Sequence, residues 1–190
     1  KLADEETLDL VYRELLNNCS LTTAHRKYLK ETRGLNDEVI NKRLYKSFPN
    51  SSQIERFLKI FGEKYGYEKL QGVPGFFKRL NSSTKKWEWA FTYGSGIIIP
   101  ITNYIGQIVG LQRRRDNVKK DSPRYVWISS AFAIEKKYLK DGTSSGSPID
   151  VIYPSVIKNK TVLITEGKFK SERIVKDKGT ICISIQGVAN

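Results

Sequence analysis

Glu166 and Gly167 follow the run Thr161, Val162, Leu163, Ile164, Thr165, and a helix-forming stretch over 168–178 leads on to a second apolar run over 180–186. A carboxylate at the carboxyl end of a buried parallel strand sits where α/β sheets place their ligands. Gly167 lets the chain turn sharply there and lets a phosphate or a metal come close. Glu166 in that position could move a proton or hold a divalent cation, with Lys168 or Lys170 nearby to meet a phosphate. Glu172 lies on the same helix, and Gly187 follows the second apolar run. A plainer explanation also fits the residues, in which Glu166 is the acidic start of a helix, favoured there by the macrodipole.

A second group of residues suits polyanions. Arg113, Arg114 and Arg115 are consecutive, and Lys119, Lys120 and Arg124 follow within ten residues. Guanidinium forks bind phosphate oxygens bidentately, so the three arginines could clamp a backbone, or they could be a solvated hairpin edge. The net charge is +13, and its distribution is uneven. Residues 1–50 carry 9 Lys/Arg against 8 Asp/Glu, residues 51–140 carry 17 against 7, and residues 141–190 carry 7 against 5. A positive field concentrated in the middle of a chain attracts nucleic acid, because each neutralised phosphate releases counterions. Trp87, Trp89, Tyr93, Tyr104, Tyr125 and Trp127 interleave with this stretch as single-strand platforms do. Strands favour aromatics, however, and most of the six are expected in the core.

The elements that must position these groups are legible in the hydrophobic pattern. Leu8, Val11 and Leu15 give one apolar stripe of a first helix. A second helix starts at Thr22 or Thr23 and stops at Gly34. Asn36 caps a third, with Leu35 and Ile40 at hydrophobic-staple spacing. A capping box at Ser52 and Glu55 opens a fourth, which buries Ile54, Phe57, Leu58 and Phe61 and ends near Gly66. The pair of helices around Gly34 has helix-turn-helix spacing, but the near-zero charge of residues 1–50 favours a packing role. Strands are predicted over 87–92, 96–102, 107–113 and 125–129, with a hairpin turn at 103–106 and a loop at 141–148. The strand at 161–165, the helix at 168–178 and the strand at 180–186 form a βαβ unit, so its two strands are predicted to be parallel.

Two cysteines, Cys19 and Cys182, and one histidine, His25, cannot build a zinc ribbon or a disulfide framework. The cysteines read as small buried hydrophobes and His25 as structural. There is no P-loop, no apolar run of membrane-spanning length and no signal peptide, so the expected location is the cytoplasm.

The Glu166-Gly167 run resembles the opening of a Toprim domain, the metal-binding module of bacterial primases, type IA and II topoisomerases and related nucleases. The resemblance extends upstream. Gly96-Ile-Ile-Ile-Pro-Ile, Gly106-Gln-Ile-Val-Gly110-Leu-Gln-Arg-Arg114, Pro123-Arg124-Tyr125 and Gly146-Ser-Pro-Ile-Asp-Val-Ile-Tyr153 come in the order seen before Toprim in DnaG-type primases. It covers residues 87–190. It implies that Glu166 is the acid/base or metal-holding glutamate, that Arg114 is the hairpin arginine, and that Arg124 replaces a lysine of the template groove. Three departures stand out. There is no Cys/His zinc module. Lys170 stands where many Toprim domains have Asp, although Glu172 could compensate from the same helix, and Gln186-Gly187 resembles the end of the second Toprim strand and its turn. The front end, with Gly34-Leu-Asn-Asp-Glu-Val-Ile and Gly72-Val-Pro-Gly-Phe-Phe, is more similar to the Toprim-like N-terminal domain of mobile-element and phage replication proteins, often ahead of a helicase.

The expectation is therefore an α+β chain in three parts: a helical cap over 1–70, an antiparallel strand-rich basic subdomain over 71–158, and the first half of a Toprim domain over 159–190. The chain stops at Asn190, before the Asp-x-Asp pair of a Toprim domain, and is expected to be a fragment. The resemblance implies Mg²⁺ or Mn²⁺ rather than zinc, DNA as partner with a helicase domain or subunit possible and no membrane, and primer synthesis by the full-length protein. The alternative is a non-catalytic single-stranded DNA-binding or loading module with a degenerate Toprim site.

Overall fold

The computed structural model describes residues 1–134 and 136–185. The chain is α+β: N-terminal helices, antiparallel sheets, and a closing βαβ unit. The helices are α1 (Glu5–Asn17), α2 (Thr23–Lys27), α3 (Asp37–Lys42), α4 (Ser51–Tyr65) and α5 (Lys168–Lys178). The strands are β1 (Lys46–Ser47), β2 (Phe76–Leu80), β3 (Trp87–Phe91), β4 (Ile97–Thr102), β5 (Ile108–Arg114), β6 (Tyr125–Trp127), β7 (Leu139–Lys140), β8 (Asp150–Ile152), β9 (Val162–Glu166) and β10 (Ile181–Ile185).

The helix starts follow their caps. Asn36 accepts from the Val39 amide at 2.9 Å to open α3, and Leu35 and Ile40 are both buried beside it, as the staple spacing predicts. Thr22 opens α2, which continues as a π-helical turn, Tyr28–Thr32, before Gly34. The capping box of α4 lies earlier than expected. Asn50, not Ser52, is the cap, accepting from the Gln53 amide at 2.9 Å while the Gln53 side chain accepts from the Asn50 amide at 3.0 Å. Asn is at least as good a cap as Ser, and Gln serves as well as Glu at the third position.

The central sheet has the order β1-β4-β5-β6 and is antiparallel throughout. Because side chains alternate along a strand, its two faces are covered by different layers. Ile98, Leu111 and Ile128 face α1 and α4, packing with Val11, Leu15, Phe57 and Phe61. Ile97, Ile99, Ile101 and Val109 face the α2–α3 region, packing with Leu29, Leu35, Ile40, Tyr45 and Phe169. The first 70 residues, expected as a cap, thus cover the sheet from both sides, and the helical pair around Gly34 packs its apolar residues on it. A second sheet, β3-β2-β7, is antiparallel.

The third sheet, β8-β10-β9, holds the βαβ unit, with β9 and β10 parallel as predicted. The expectation of a buried strand at 161–165 is corrected. β9 is an edge strand whose Val162 and Ile164 are 49% and 68% exposed. Helix α5 packs on one face only, through Ile152, Val175 and Cys182, with Leu163 beside them, so the residues alternating to the other face meet no layer among the described residues. Cys19 and Cys182 are buried free thiols. No helix among the described residues is long and apolar enough to cross a membrane.

Candidate nucleic-acid and catalytic cleft

Glu166 ends β9 at the mouth of a cleft between the βαβ unit and the central sheet. The cleft has a volume of about 430 Å³, and its walls include Arg33, Gln112, Tyr125, Trp127, Phe169 and Lys170. Gly167 sits at φ +86°, in the region that disfavours side chains, with its amide donating to the Ile185 carbonyl at 3.1 Å. A Cβ there would meet nothing within 4 Å, so the space above the strand end is open. No side chain caps α5. Glu166 is exposed, and its carboxylate has no hydrogen-bond or ion-pair partner among the described residues, which leaves it available to a ligand. A capping role for Glu166 is not made.

The opposite wall is held by an arginine–tyrosine lattice. Arg33, from the turn after the π-helical segment, donates to the Tyr28 hydroxyl at 2.7 Å and to the Tyr125 hydroxyl at 2.9 Å, with its guanidinium 5.0 Å from the Phe169 ring centroid. Arg114 donates to the same Tyr28 hydroxyl at 2.9 Å and lies 4.0 Å over the Tyr28 ring. Burial pushes the Tyr125 hydroxyl above its ordinary value, against the pull of Arg33. Phe169 stacks on Tyr45 at 5.7 Å, which docks α5 against the sheet.

The three arginines do not form one clamp. Alternation along β5 puts Gln112 and Arg114 on the cleft side and Arg113 on the other, where its guanidinium lies 5.1 Å over Phe48. Arg114, matched by the resemblance to the hairpin arginine, is 8% exposed and donates to Tyr28 behind the residues that line the cleft. Lys119, Lys120 and Arg124 are exposed around the loop before β6.

Lys168, expected to meet a phosphate, and Glu172, expected as a second carboxylate, are joined in buried ion pairs. The Lys168 ammonium, 1% exposed, is 2.6 Å from Asp150 and 3.6 Å from Glu172. Glu172 is 2.9 Å from Arg43. Asp150 is wholly buried and accepts from the Thr102 amide at 2.8 Å and its hydroxyl at 3.1 Å. This buried chain locks α5 to β8, β4 and the end of α3. Lys170 remains exposed at the cleft. Gly187 lies outside the described residues.

Hard divalent cations take several oxygen ligands. Glu166 is the only carboxylate lining the cleft among the described residues, and these hold no group of three acidic, His or Cys residues. The described residues do not by themselves make a Mg²⁺ or Mn²⁺ site.

Of the six interleaved aromatics none is fully buried, contrary to the expectation of a core role. Tyr93 and Tyr104 are 65% and 69% exposed, and Trp87 and Tyr125 are exposed as well. His25 is satisfied by Ser47 at 2.7 Å and Asp116 at 3.0 Å, as a structural histidine would be. Arg33, Tyr28, Arg43 and Asp150 were not singled out from the sequence. Arg33 carried only a helix-end signal, and Asp150 lay within the resembling segment 146–153 without a role of its own.

The fold is similar to that of part of the catalytic cores of DnaG-type primases. The primase of Aquifex aeolicus (zinc-binding and RNA polymerase domains) superposes with a TM-score of 0.65 at 20% identity, over 100% of this chain and 44% of that one. The RNA polymerase domain of Mycobacterium tuberculosis DnaG, solved with a double-stranded DNA oligomer bearing an overhang, gives 0.65 at 16% identity over 99% and 56%. A DnaG catalytic domain solved with single-stranded DNA gives 0.58 at 18% over 97% and 57%. The chain thus spans about half the length of these structures. No protein-family model and no curated protein sequence matches it.

Proposed function

We propose that this chain is the DNA-binding, primase-like module of a replication protein, and that the intact protein synthesises primers by metal-dependent nucleotidyl transfer. The observation that carries this reading is the cleft: an unpartnered Glu166 at a strand end, faced by an arginine–tyrosine wall, in a fold shared with primase catalytic cores. The charge of +13, concentrated in residues 51–140, supports a polyanionic partner. The divalent cation, Mg²⁺ or Mn²⁺, would need oxygens besides Glu166. Resemblance of the front end to mobile-element and phage proteins supports a setting ahead of a helicase.

A second reading, a DNA-binding or loading module with a degenerate site, is favoured by one observation. Among the described residues Glu166 is the only carboxylate lining the cleft, with Asp150 and Glu172 committed to cations. One experiment separates the two. In the intact protein, Glu166→Gln should abolish primer synthesis while leaving affinity for single-stranded DNA unchanged. Synthesis at the wild-type rate by the variant would remove Glu166 from the chemistry. An absence of DNA binding by the wild type at low salt would overturn both readings.

A further inference from the structure

The face of the central sheet opposite Glu166 carries its own cationic and aromatic surface. Arg113 and Arg115 line a hollow of about 240 Å³ with Tyr93, Gly94, Ser95 and Asn117. Arg113 donates to the Tyr93 carbonyl at 2.7 Å, and its guanidinium fills the place a Gly94 side chain would take. Arg115 donates to the Pro123 carbonyl at 3.3 Å. Neither forms an ion pair among the described residues, because the neighbouring carboxylate, Asp116, is turned to His25 and Arg114. The Arg113 Nε is buried without a hydrogen-bond partner. Burial first, and the Arg115 charge second, hold the Arg113 guanidinium below its usual range. Two adjacent guanidiniums, partly desolvated and without a counter-charge, are relieved by an anion that accepts from both forks.

Tyr93 joins this hollow to a second one of about 330 Å³, between the start of α4 and β3, whose walls include Phe48, Ile54, Trp89 and Phe91. At 65% exposed, the Tyr93 ring has a free face beside the guanidiniums. A cation pair next to an open aromatic face and an apolar groove matches a nucleotide: phosphate on the forks, base on the ring.

We propose that this face is a second contact for single-stranded nucleic acid, with a phosphodiester held by Arg113 and Arg115 and a base stacked on Tyr93. The strand would run from the Glu166 cleft around the end of β5, past the exposed Lys119, Lys120 and Arg124. In its choice of ligand, the inference rests on the DNA-binding reading above.

The test measures binding of short and long oligothymidylates to the chain across a salt series. Tyr93→Leu and Arg115→Gln should each weaken binding of the long oligonucleotide roughly tenfold and leave the short one nearly unchanged. Arg115→Gln should also lower the salt slope by about one. Gly94→Ala, which displaces the Arg113 fork without removing its charge, should weaken binding in the same length-dependent way. A photoreactive 5-iodouracil strand should crosslink to Tyr93. If Lys170→Gln in the cleft weakens binding while these three variants do not, the second contact falls and the DNA-binding reading stands. If Arg115→Gln weakens both heparin and DNA while Tyr93→Leu affects neither, the face is a general polyanion surface and the proposal is wrong. If the wild type binds no oligonucleotide at low salt, both fall together.

Discussion

The Arg33 guanidinium donates to the Tyr125 hydroxyl at 2.9 Å across 92 residues of sequence, joining the turn after the second N-terminal helix to strand β6 at the mouth of the Glu166 cleft. Through Tyr28 the same arginine is coupled to Arg114 on β5. Two cations therefore share one phenol, which ties together the cleft wall facing Glu166.

That coupling is measurable. Tyr125→Phe should cost about 0.5–1.5 kcal/mol, the net worth of a hydrogen bond, and Arg33→Met more, because it also loses the bond to Tyr28. The double variant should cost less than the two together, with a coupling of about 1 kcal/mol in a denaturant-based mutant cycle. Strict additivity would show that the two side chains meet without holding one another.

The buried chain Arg43–Glu172–Lys168–Asp150 gives a larger effect. Asp150→Leu strips Lys168 of its closest partner and leaves the Thr102 amide without its acceptor, while the Thr102 hydroxyl keeps the Val151 carbonyl at 3.3 Å. Removing one member of a buried ion pair costs about 3–5 kcal/mol, mostly the penalty of the charge left behind. Chemical denaturation should show a loss of that order. A change below about 1 kcal/mol would mean that water reaches Lys168.

These long-range pairs mark where the sequence stopped being informative. The staple of Leu35 and Ile40, the helix Lys168–Lys178 and the parallel pairing of its flanking strands were readable because caps and periodicity are local signals. Glu166 could be placed at a strand end for the same reason. The partner of Lys168 lies 18 residues away and the partner of Arg33 lies 92 away, and no spacing rule links them. Alternation alone separates Arg113 from Arg114, but which of the two meets the cleft depends on the layers that cover each face. The exposure of β9 likewise depends on what packs against it, and an apolar run carries no record of its neighbours.

Cys19 supplies a prediction in alkaline solution. Burial, the largest influence, pushes its thiol from 9.0 to about 11, against a smaller opposite pull from Lys46 and Arg56. The folded state therefore holds this proton more tightly than the unfolded chain. The stabilisation is complete below pH 9 and is lost as pH rises to about 11, at about 1.4 kcal/mol per pH unit for one proton. Tyr12 and Tyr45, also raised by burial, act in the same direction at higher pH. Cys19→Ala should therefore flatten the fall in stability between pH 9 and 11 relative to the wild type, measured by urea unfolding at each pH. Parallel curves for the two proteins would show that the thiol ionises as readily in the folded protein as outside it.

Glu166 and Gly167 are adjacent, yet their substitutions should behave oppositely. The Glu166 carboxylate is exposed and caps nothing, so Glu166→Gln should change stability by no more than about 0.5 kcal/mol, as surface changes do. Gly167 has open space around its Cα but a φ of +86°. Gly167→Ala therefore meets no clash, and its whole cost is the backbone penalty of a side chain at positive φ with an extended ψ of 128°, about 1–3 kcal/mol. Thermal unfolding of the two variants beside the wild type checks both. A clear drop in melting temperature for Glu166→Gln would mean that the carboxylate is held by a structural partner and is not free in the cleft. An unchanged melting temperature for Gly167→Ala would mean that the turn relaxes to negative φ, and the strand end would then no longer present Glu166 as described.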